Sequence, residues 1–147
     1  MNFRKHVIVL ILLCLGLAHV GSAAVGNAAS LRLQETKLFA FGGIGFAGTT
    51  SSGELALREI LKSDSSSAIF MEVFEKSTPE GKCYALVALR EISPDLFKKC
   101  SDIFRKNLPS QVHTMSGCLG EEIAGWRALA EIETGTYTKF IPKKKEA

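Results

Sequence analysis

The chain has 147 residues, 46% of them hydrophobic, with 18 basic and 15 acidic side chains and a mean hydropathy of +0.15. One domain is the natural expectation at this length, and there is enough chain to bury a core without metals or many disulfides. A net charge of only +3 gives no electrostatic reason to expect a nucleic-acid partner.

The first 24 residues stand apart. Arg4 and Lys5 form a basic head, an apolar run extends from Val7 to Leu17, and the small-residue patch Gly21-Ser22-Ala23-Ala24 follows. These are the three regions of a secretory signal peptide, with cleavage expected after Ala24. The run falls short of the roughly 20 residues that cross a bilayer, so no stable membrane anchor is expected after cleavage. Cys14 lies deep in the run, away from any lipid-acceptor context. Loss of the leader leaves 18 − 2 = 16 basic against 15 acidic side chains, with His113 as the one histidine and Cys83, Cys100 and Cys118 as the cysteines. A secreted or periplasmic location follows. The chain has no Asn-x-Ser/Thr sequon to glycosylate.

Residues 25–35 are small and polar and read as a flexible lead-in, 36–141 as a single helical domain, and 142–147 as a solvated basic tail. Leu38, Phe39 and Phe41 suggest a short extended piece that runs into the glycine-rich segment Gly42 to Gly48, which cannot be a stable helix. Ser51 and Glu54 fit a capping box that opens a helix over 52–62. Residues 68–76 could form a buried strand or a helix; the i, i+4 pairs Ile69 with Val73 and Phe70 with Phe74 predict a helix. Thr78-Pro79-Glu80 supplies a capping hydroxyl, a proline at the first helical position and an acid in the first turn, predicting a helix to Ile92. Ser93-Pro94-Asp95 repeats the signal for a helix with the stripe Leu96, Phe97, Cys100, Ile103 and Phe104, and so short a joint predicts an antiparallel hairpin. Residues 110–118 read as extended. A last helix is expected over 121–133, with Ile123, Trp126, Leu129 and Ile132 apolar and Gly135 as its stop. The fold class is mainly α, with about five short helices packed as antiparallel hairpins.

The stretch Gly81 to Ile92, followed by a proline-started helix, resembles the alanine- and leucine-rich helix pair of HEAT-type repeats over about 78–108, with 52–76 as a further hairpin. The resemblance implies helical-hairpin packing and a surface for partners, and it implies no chemistry.

Gly43-Ile44-Gly45-Phe46-Ala47-Gly48 matches G-x-G-x-x-G, in which glycines permit a tight turn and close approach to a pyrophosphate at a helix N-terminus. The helix signal begins several residues too late, and no acid follows a second strand to hold a ribose. The other expectation is a loop whose Phe39, Phe41, Ile44 and Phe46 tuck against the helices. His113 and three widely spaced cysteines lack the paired short spacings of a zinc site, so no metal or cofactor is assigned. An odd number of cysteines suggests one disulfide and one free thiol. Cys100 with Cys118 is the expected bridge, and a fully reduced set is the alternative. His113 and Cys118 could act as base and nucleophile only by facing one cleft. The acid pairs Glu121-Glu122 and Glu131-Glu133 read as solvated helix surface, and no catalytic residue is assigned. The sequence thus reads as a small exported helical protein, non-catalytic, that binds another macromolecule, in the first place a protein, or serves as an envelope accessory factor. Nucleotide or cofactor binding through 42–48 is the alternative, and the oligomeric state is left open.

Overall fold

The structure is a computed structural model that describes residues 27–142; the leader, the cleavage position at Ala24 and the Lys143-Lys144-Lys145 tail lie outside the described residues. Among the described residues there are six helices and two small antiparallel sheets. A helix over 27–35 (α1) leads to β1 (Gly43–Ile44), β2 (Thr49–Thr50), α2 (Ser52–Ile60), α3 (Ser66–Lys76), α4 (Pro79–Ile92) and α5 (Pro94–Lys106). Then come β3 (Val112–Ser116), β4 (Leu119–Ile123), α6 (Gly125–Glu133) and a single 3-10 turn, Thr138–Phe140. None of the helices described is long and apolar enough to cross a membrane.

Helix α4 is the hub. Its segment Cys83 to Leu89 is apolar on all sides, and every residue in it is buried, as expected of a helix that other elements surround. It contacts α2, α3, α5, α6 and β3. Thr78 Oγ1 accepts from Gly81 N at 3.2 Å, and Pro79 occupies the first turn, so the start signal read from the sequence is used as such. Ser93 ends α4 and begins α5, producing the tight helical hairpin. Residues 66–76 are helical, burying Phe70, Val73 and Phe74 against α4.

Three expectations are corrected here. The lead-in 25–35 is helical over 27–35, with Ala29 and Leu33 fully buried. Its end rests on the start of α4, where Thr78 N donates to Gln34 O at 3.2 Å. A Cβ at Gly81 would lie 2.2 Å from Leu33 O, so only glycine admits this approach. The last helix does not begin at Glu121. Residues 121–123 belong to β4, which pairs with β3 in the register Val112↔Ile123, His113↔Glu122 and Thr114↔Glu121. The pairing buries Val112 and Ile123 together, and α6 starts only at Gly125, packed against Pro109. Trp126, expected on the buried stripe, is 64% exposed.

The segment before β1 is extended, as read. Phe39 N donates to His113 O at 2.8 Å, and Phe39 and Thr114 form a parallel bridge. Phe39 and Phe41 enter an aromatic cluster with Tyr84, Tyr137 and Phe140, at centroid separations of 4.9 to 5.6 Å. These edge-on, tilted and, for Phe41 with Phe140, stacked contacts close the end of the helical core.

Candidate functional site

Two buried carboxylates hold the two β-hairpins onto the helices. Glu54, in the first turn of α2, is fully buried; its Oε2 accepts from Gly42 N at 2.8 Å and its Oε1 meets Arg58 at 2.6 Å. Gly42 lies at the base of the β1–β2 hairpin. Glu80, in the first turn of α4, has a side chain only 6% exposed and accepts from His113 N at 3.0 Å and His113 Nδ1 at 2.9 Å. His113 lies in β3, so this acid holds the second hairpin. At both positions the positive end of a helix dipole favours the negative charge. The sequence marks both acids as capping or first-turn residues and gives no sign of their reach into the hairpins.

The hairpins in turn hold each other. Gly45 N donates to Gly117 O at 2.7 Å, and Ile44 and Gly117 form a bridge, which sets the two turns side by side. The first turn is Gly45-Phe46-Ala47-Gly48, closed by Gly48 N on Gly45 O at 3.1 Å, with positive φ at both glycines. The second is Gly117-Cys118, with Gly117 at φ +55°, as in a two-residue hairpin with glycine at its first central position. The joined turns carry Phe46, which is 101% exposed, Leu119, which is 78% exposed, and the exposed thiol of Cys118. Phe46 therefore departs from the expectation that it tucks against the helices, whereas Phe39 and Phe41 are buried.

The G-x-G-x-x-G segment is thus the turn of an antiparallel hairpin. A dinucleotide site would need strand, turn and helix in sequence, with free amides at the helix start. Here Ser51 Oγ accepts from Glu54 N at 3.1 Å, and the Glu54 carboxylate fills the space beside it. The element after α2 is α3, over 66–76, so no strand comes directly after α2 to complete a strand–helix–strand unit.

The expected Cys100–Cys118 bridge does not form, and Cys83, Cys100 and Cys118 are free. Cys100 is buried in α5 with its Sγ 3.4 Å from Met71 Sδ, while Cys118 sits at an exposed turn. Burial pushes the Cys83 and Cys100 thiols up, which keeps them protonated and unreactive. His113 lies in β3 and Cys118 in the turn beyond the strand's end, with His113 to Ser116 alone spanning about 10 Å at about 3.3 Å per residue, so the two form no dyad. Among the described residues no group of three His, Cys, Asp or Glu side chains is arranged to hold a metal ion. The acid pairs are more than solvated surface. Arg127 meets both Glu121 and Glu131 at 3.0 Å, Tyr137 donates to Glu131 at 2.6 Å, and Arg105 pairs with Glu133.

No protein-family model, curated protein or solved structure matches the chain.

Proposed function

We propose that this chain is a small exported, non-catalytic binding protein that engages a protein partner through its paired hairpin turns. The observation that carries this reading is the exposure of Phe46 and Leu119 on two turns that hydrogen-bond to each other. Turn geometry requires Gly45, Gly48 and Gly117 for positive φ. It makes no demand for an aromatic ring at 46 or a leucine at 119. A lone exposed apolar residue is ordinary, but large apolar side chains on adjoining, well-anchored turns are the kind of feature that marks an interaction site. The leader-like segment ending at Ala24 supports export, and the helical-hairpin resemblance of 78–108 is consistent with a scaffold that presents a surface.

The test uses Cys118 as a built-in handle. A maleimide photocrosslinker attached there in intact cells should give one protein adduct of discrete mass, and Phe46→Ser with Leu119→Ser should abolish it while leaving the circular dichroism spectrum unchanged. Absence of an adduct, or an adduct formed equally by the double variant, overturns the reading, as does turn-dependent binding to lipid vesicles in place of protein. Fractionation should find the mature chain outside the cytoplasm with its N-terminus at Val25.

A further inference from the structure

We propose that Glu80, His113 and Glu122 form a proton-operated clasp, in which charged His113 ties β4 to α4 and loss of its proton releases Glu122 while His113 stays on Glu80. The three residues come from three elements. Glu80 lies in the first turn of α4, His113 in β3, and Glu122 directly opposite it in β4. His113 Nδ1 stands 2.9 Å from Glu80 Oε1, and Nε2 stands 3.1 Å from Glu122 Oε1. An ionised carboxylate only accepts hydrogen bonds, so Nδ1 donates to Glu80, while Nε2 stands at ion-pair distance from Glu122; only the imidazolium turns an N–H and a positive charge toward both acids at once.

A neutral ring keeps one N–H and must leave one carboxylate facing a lone pair. Glu80 is nearly buried and gains little from solvent in place of the lost donor, whereas the Glu122 side chain is 50% exposed and can turn to solvent. The backbone N–H of His113 also holds Glu80 whatever the ring does. The clasp therefore opens on the β4 side. The charged groups facing the ring are Glu80 from α4 and Glu122 from β4. The extended segment before β1 meets this residue through Phe39 N on His113 O, an uncharged contact. Glu121 is engaged by Arg127, and Lys82 of α4 lies over the Phe74 ring.

The hydrogen bond His113 donates to Glu80, aided by the charges of Glu80 and Glu122, raises His113 above its ordinary 6.5. The folded state then binds this proton more tightly than the unfolded chain. Its stabilisation is complete below pH 6.5 and is lost as pH rises through the folded-state value. The clasp acts whether or not the turns meet a partner.

The test follows the His113 ring by NMR between pH 5 and 9, assigned by its absence in His113→Gln, alongside hydrogen exchange of the β4 amides corrected for intrinsic rates. In the natural protein His113 should titrate above 6.5, and β4 protection should fall through the same pH range. Glu122→Gln, at a half-exposed position that leaves the core intact, should bring the titration down toward 6.5 and flatten the pH dependence of β4 protection. Titration at or below 6.5, protection that is constant with pH, or a Glu122→Gln profile matching the natural one would overturn the clasp.

Discussion

Tyr84 joins three parts of the chain with one hydroxyl. It accepts from Ala40 N at 2.9 Å and lies 2.8 Å from Ala40 O and 3.0 Å from Ser51 Oγ, linking α4 to the extended segment and to the cap of α2. Its ring fills the space that Gly53 leaves, where a Cβ would approach to 2.4 Å. Burial raises its phenol above the ordinary value, so it remains a neutral donor and acceptor. Tyr84→Phe keeps the ring packing and removes the oxygen, which strands the buried Ala40 N–H. The expected loss is about 1–3 kcal/mol, the usual penalty for a buried donor without a partner, read as a lower urea midpoint with unchanged slope. A midpoint within error of the natural protein would mean that the ring alone does the stabilising. Nothing in the run Cys83-Tyr84-Ala85 announces this hydroxyl's role, because its partners lie 33 and 44 residues away in sequence.

At the scale of elements, the sequence was legible where a segment's own pattern decides its structure. Pro79 and Pro94 start α4 and α5, the i, i+4 pairs set α3, and the glycines at 45 and 48 turn the chain. It was illegible where distant contacts decide. The helix over 27–35 has little amphipathic signal, and its place comes from the bare backbone at Gly81. Glu121 and Glu122 favour a helix locally, but pairing with β3 holds them in a strand. Neither acid that anchors a hairpin differs in sequence from an ordinary first-turn residue. Their function gives a direct expectation for Glu54→Ala, which leaves Gly42 N and Arg58 without their shared acceptor. Global stability should fall by about 1–3 kcal/mol, and amide exchange over 43–50 should rise more than in α4. Glu54→Gln retains an acceptor for Gly42 N and should show a smaller loss of hairpin protection. Uniform loosening across the molecule would contradict a local anchor.

For the molecule as a whole, the question is what holds a domain of this size together without the disulfide that its cysteines could have supplied. Helix α4 is enclosed by α2, α3, α5 and α6, and the aromatic cluster around Phe39 and Phe41 seals the end of the core, so burial is extensive without a cross-link. A Cys100–Cys118 bridge would enclose a loop worth about 3 kcal/mol by closure entropy. In a domain of this size that corresponds to roughly 10 °C of melting temperature. Because Cys100 is buried beside Met71 while Cys118 stands at an outer turn, oxidation cannot join them without pulling α5 out of the core. The melting temperature should therefore be the same, within about 1–2 °C, with and without a strong reductant, since no loop closure is there to be lost. Of the three described thiols, Cys118 should react with a maleimide in the folded protein, and Cys83 and Cys100 only after unfolding. A fall of roughly 10 °C on reduction would mean that a bridge of this worth holds the fold together; a flat response would leave the packing around α4 as its sole support.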